Sequence, residues 1–121
     1  MNKLSKDVLN LMMEENGFNR MTPRDIAAEL TREQKHWVNV FWSPNQIDTV
    51  YVIPKSTSLA RARCQLVGWK TRADEIHSIT PKDVRREIVD YDWRGNLTEE
   101  EREILNTMLK GVRKVLRLWW D

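Results

Sequence analysis

Two short runs, His36-Trp37-Val38-Asn39-Val40-Phe41-Trp42 and Thr49-Val50-Tyr51-Val52-Ile53, are rich in β-branched and aromatic residues. They flank Ser43-Pro44-Asn45-Gln46, a turn-forming cluster. Side chains branched at Cβ are stiff, and they pack better on a pleated surface than along a helix. The two runs therefore predict an antiparallel hairpin. A third strand is expected over 61–69.

Helix starts surround this hairpin. Thr22-Pro23-Arg24-Asp25 and Thr80-Pro81-Lys82-Asp83 each put Thr at the N-cap, Pro at the first helical position and a carboxylate at N3. Pro lacks the N–H that a first turn cannot use, and the carboxylate meets the positive end of the helix dipole. Thr98-Glu99-Glu100-Glu101 is a capping box, and Thr31-Arg32-Glu33-Gln34 reads as a fourth start. Upstream, Leu4, Val8, Leu11 and Met12 share one helical face that stops at Asn16-Gly17. The last helix is expected to be the longest, over 98–120. Its stripe is Ile104, Leu105, Met108, Val112, Val115, Leu116 and Trp119, weakened midway by Gly111.

The result is an α+β chain with N-terminal helices, a central hairpin or small sheet and a long C-terminal helix. Its 121 residues suit one domain spanning 1–121, with 1–54 and 79–121 as candidate sub-units. Residues 21–30 and 79–88 resemble each other, but their flanks do not match. Two capped amphipathic helix starts explain the likeness better than a repeat.

Charge is unevenly spread. The net +2 divides into −1 over 1–48, +5 over 49–73, −5 over 74–103 and +3 over 104–121. The second block holds Lys55, Arg61, Arg63, Lys70 and Arg72 without one carboxylate. On a strand, Arg61 and Arg63 would share a face and meet phosphates together. The competing account pairs these cations with the acidic 74–103 segment, through Glu87, Asp90 or Asp92.

Residues 8–42 bear on the same question. A first helix ending in Asn16-Gly17, a short loop and a helix reading Thr22-Pro23-Arg24-Asp25-Ile26-Ala27-Ala28-Glu29-Leu30 resemble the start of a winged helix-turn-helix DNA-binding domain. The resemblance implies a third, recognition helix from Thr31, carrying Arg32 and Lys35 into a major groove. It also makes 49–73 the wing, with Arg61, Arg63, Lys70 and Arg72 on phosphates. Leu30 runs into Thr31 without the usual glycine turn, and 36–42 is β-prone. Strand and recognition helix therefore both stay open for 36–42.

Six tryptophans add a third pointer. Trp is common both in cores and at interaction hot spots. Trp119 and Trp120, at the end of a basic amphipathic segment, are the pair a core explains least. They are candidate partner-binding residues, and the stripe beside them is a candidate homodimer face.

Chemistry is sparsely signalled. The glycines are too scattered for a phosphate-binding loop, and His36 and His77 have no ligand-spaced partner. Glu33-x-Lys35 with Asp25 upstream echoes a nuclease fragment, but on a predicted helix. Asp90-x-Asp92 lacks a third ligand, and Cys64 has no signal linking it to a histidine. The expectation is a non-enzyme without metal or cofactor. No stretch is apolar enough to span a membrane, no secretory signal opens the chain, and one unpaired Cys suits the cytoplasm. Two functions follow. One is a small regulator that binds nucleic acid, double-stranded DNA first among the candidates. The other is a protein-interaction module, such as the small inhibitors or adaptors that viruses and mobile elements encode.

Overall fold

The computed structural model describes residues 2–15, 17, 21–42, 48–90 and 97–121, with backbone alone at 89 and 90. Helices α1 (Lys3–Glu14) and α2 (Pro23–Arg32) lead through a 3₁₀ turn (Gln34–His36) into strands β1 (Trp37–Trp42) and β2 (Thr49–Pro54). Helix α3 (Ser58–Lys70), strand β3 (Glu75–Ile79) and the short α4 (Pro81–Arg85) come next, α4 widening into a π turn (Arg86–Asp90). Helix α5 (Glu99–Leu109) and strand β4 (Val115–Trp119) follow. The four strands form one antiparallel sheet in the order β1-β2-β4-β3. The α+β class and the small single domain follow directly.

Alternation along the strands divides the interior in two. Val50 and Val52 of β2 and Leu116 and Leu118 of β4 face α1, α2 and α3, where Leu9, Met12, Ile26, Leu30 and Val67 meet them. Tyr51, Ile53 and Val115 face the other way, against Val84, Ile88, Leu105 and Leu109 of the α4–α5 side. A sheet apolar on both faces needs a layer on each, and the helices supply both. The free edge of β1 is closed by α1: the buried Ser5 hydroxyl accepts from the Val40 N–H at 3.2 Å. Closing an edge this way blocks pairing with another chain.

The expected hairpin is present, with Phe41 opposite Tyr51, while its turn cluster at 43–46 lies outside the described residues. Thr80 and Thr98 form full capping boxes. Thr22 is the N-cap of α2 without a side-chain bond.

Three expectations are overturned. The third strand over 61–69 is helix α3. Thr57 caps it by accepting from the Ala60 N–H at 3.0 Å, and Ala, Gln and Leu over this stretch favour the helix. Thr31 caps no third helix, because its hydroxyl donates to Ala27 O at 2.8 Å inside the last turn of α2. With 37–42 as a strand, the segment runs helix–helix–hairpin and holds no recognition helix.

The long helix over 98–120 also fails. It stops at Leu109, and Gly111 then turns at φ +77, a conformation easy only for glycine. The stripe is thus shared between a helix and a strand, and Val115 and Leu116 lie inside the two cores. The stripe proposed as a homodimer face is therefore not one continuous helical surface. No helix among the described residues is long and apolar enough to cross a membrane.

Trp120 is fully buried, and its Nε1 donates to Thr71 O at 2.9 Å. Trp120→Ala is expected to cost about 3–5 kcal/mol in urea denaturation, as for other large core truncations. A loss below about 1 kcal/mol would show that the ring is not a core anchor.

Candidate functional site

The sequence places six cations as phosphate contacts, and the fold separates them. On helix α3, Arg61 and Arg63 are about 200° apart, so they share no face. Arg63 turns to α2, where its Nε donates to Glu33 Oε2 at 2.9 Å and a second N–H donates to Glu33 Oε1. This bidentate bond holds the buried Glu33 carboxyl below its usual pKa, against the opposing effect of burial, and the charges of Arg63 and His36 add to it. Lys70 Nζ lies 3.7 Å from Glu29 Oε2, and Arg32 donates to the other oxygen of Glu29 at 3.1 Å. Arg32, Lys70 and Arg72 line a groove of about 810 Å³, together with Asp25 and Glu29. Lys35 is exposed on the 3₁₀ turn.

Partners for the basic block therefore come from α2, not from Glu87. Glu87 is engaged elsewhere: Tyr51 donates to it at 2.7 Å, and Arg117 forms an ion pair with it. Burial, first, and the Glu87 bond push the Tyr51 hydroxyl far above its usual pKa, so it stays a donor. Glu75 Oε2 lies 3.8 Å from Arg117 and 3.4 Å from His77 Nε2. This network ties the turn after α4 to the face of β2 and β4.

A different set of cations has no ion pair among the described residues. Lys55, Arg61, Arg113 and Lys114 line a cleft of about 880 Å³ with no carboxylate among its described lining residues. Lys55 is fixed by its backbone N–H, which donates to His36 O at 2.9 Å. Arg61 stands in the first turn of α3, with Nη2 at 3.4 Å from Ser58 Oγ. Arg113 and Lys114 lie on the link between the Gly111 turn and β4. Ser56 and Thr57 bring the N-terminus of α3 to the wall, and that first turn carries no acid. None of the four cations forms an ion pair among the described residues.

The cleft thus joins two blocks that are far apart in sequence. Lys55 and Arg61 come from the acid-free 49–73 stretch, and Arg113 and Lys114 from the basic 104–121 block. Only Arg61 of the four is among the sequence-predicted contacts. The signal for the rest is the net +3 of the last block, masked by its likeness to a helix end.

Of the two candidate partner-binding residues, Trp120 is corrected, because it is buried. Trp119 is half-buried and donates to Asp48 Oδ2 at 3.0 Å, and Trp120 is core. Among the described residues, Trp69 is the most exposed indole, at 67%. The nuclease-like fragment is also accounted for: Glu33 is bound to Arg63, and Asp25 lies on a helix. Burial, helped by the charge of Glu33, pushes the Cys64 thiol up to about 12, which keeps it protonated. Among the described residues, no group of three or more His, Cys, Asp or Glu could hold a metal ion. Asp92 lies outside the described residues. Comparison with family models, curated proteins and solved structures returns no match to this chain.

A carboxyl whose folded pKa is depressed stabilises the fold above its unfolded value, near 4.5 for Glu33, and loses that contribution as pH falls through the folded value. Arg63→Ala is therefore expected to lower the urea midpoint clearly at pH 7 and much less below pH 4. An equal loss at both pH values would assign the effect to packing of the Arg63 stem instead.

Proposed function

We propose that the chain is a small, non-enzymatic nucleic-acid-binding regulator that grips the phosphate backbone in the cleft of Lys55, Arg61, Arg113 and Lys114. The observation that carries this reading is four cations around one cleft, with no ion pair and no lining carboxylate among the described residues. Such a field concentrates polyanions, and the N-terminus of α3 adds backbone N–H groups of the same sign.

The winged-helix expectation survives only in its charge logic. With 37–42 in the sheet, the recognition helix expected directly after α2 is a strand instead, so contacts fall on phosphates and sequence selectivity is low. Double-stranded DNA is the first target to test, because its charge density gives four phosphate contacts the strongest salt response. A cytoplasmic protein is part of the proposal.

The test is a titration of labelled duplex at several salt concentrations. Four phosphate contacts predict a slope of log affinity on log salt of about −3.6, or roughly a hundredfold loss between 50 and 200 mM. Arg113→Ala with Lys114→Ala is expected to make the slope shallower by about 2. Absent binding, or binding indifferent to salt and to these changes, would overturn the proposal.

A further inference from the structure

Helix α3 is apolar on two opposite faces. Its inner face, Ala60, Cys64, Val67 and Gly68, is buried against the sheet. Its outer face carries Leu59, Ala62, Leu66 and Trp69, spaced by three, four and three residues. That spacing makes one continuous seam, as in helices that pack on a partner helix. Leu59 and Trp69 are 64% and 67% exposed, more than any other large apolar side chain described. Scattered apolar residues need no explanation on a surface, but a Leu and a Trp aligned on one stripe do.

Charge identifies what fits there. Residues 55–73 contain no carboxylate. After Glu33 and Glu29 are set against Arg63 and Lys70, the cations Lys55, Arg61 and Arg72 remain in surplus at the ends of the seam. A second copy laid α3 on α3 would oppose the surplus cations Lys55, Arg61 and Arg72 to their own kind. A nucleic acid could stack on Trp69 but would leave Leu59 and Leu66 wet. We infer that the outer face of α3 is a docking surface for an acidic amphipathic helix of a partner protein, seated on Leu59, Leu66 and Trp69. The partner's apolar stripe covers the seam, and its flanking carboxylates meet the surplus cations. The seam is about 15 Å long, which suits a partner helix of about three turns and a transient complex.

The experiment uses the full chain and a synthetic helical peptide with leucines at the same three-four-three spacing and glutamates beside them. Its control carries lysines in place of the glutamates. Fluorescence anisotropy is expected to show saturable binding of the acidic peptide and none of the control. Leu59→Ala with Trp69→Ala is expected to weaken that binding at least about tenfold, while the melting temperature moves by no more than about 2 °C. Arg113→Ala with Lys114→Ala, which empties the cleft of two cations, is expected to leave peptide binding intact and so separates this surface from the cleft. The inference is overturned by any of four results. These are no saturable binding of the acidic peptide, equal binding of the lysine control, a wild-type dimer that the seam variant dissociates, or a seam variant that loses only single-stranded oligonucleotide binding.

Discussion

The pairing of Val115–Trp119 with a strand on each side is the constraint on which the rest of the structure depends. β4 bonds to β2 through Thr49 to Val52 and to β3 through Glu75 to Ile79, so the chain's last strand is an inner one. Its side chains divide the two cores, Leu116 and Leu118 to one face and Val115 to the other. Each such burial contributes about 1.5–3 kcal/mol. Without β4, β3 has no neighbour in the sheet and the α4–α5 layer loses Val115 from its floor. Gly111 gives the chain the reversal that delivers β4 into this slot, and Trp120 locks the end beneath the turn after α3.

How much of this was legible depended on how local the cause was. The hairpin could be read because Val38 to Trp42 and Thr49 to Ile53 prefer a pleated surface wherever they sit. The starts of α2, α4 and α5 could be read because capping is a matter of four neighbouring residues. The fate of 110–119 could not. Ile104, Met108, Val112, Val115 and Trp119 continue a helical stripe, while Val115, Arg117 and Trp119 alternate with Leu116 and Leu118 as in a strand. The letters permit both, and the vacancy between β2 and β3 decides. α3 was misread for a related reason: apolar residues on two faces hide the helical period.

The candidate site shows the same division. The acid-free stretch was visible in the letters, yet which cations remain unpaired is a property of the fold. α2 brings Glu29 and Glu33 to one side of α3 and quenches Lys70 and Arg63, which a linear count of charge cannot anticipate. The same fold leaves Arg61 beside Arg113 and Lys114. Helix α5 then separates the poles of the molecule. Three glutamates stand in its first turn, and the basic link follows its end, about 16 Å away along its axis.

The two apolar faces of α3 have a further meaning. Judged by hydrophobicity alone, the helix would roll to bury Leu59, Leu66 and Trp69 and leave Ala60, Cys64 and Gly68 in water. It does not, because Ala60, Cys64, Val67 and Gly68 already pack closely against the sheet on the inner side. A Cβ at Gly68 would come within 2.7 Å of Ile76 Cδ1. The roll of the helix is set by steric depth on one side and by the Glu33–Arg63 clamp on the other. The protein therefore keeps Leu59 and Trp69 in solvent through the close packing of the opposite face of α3.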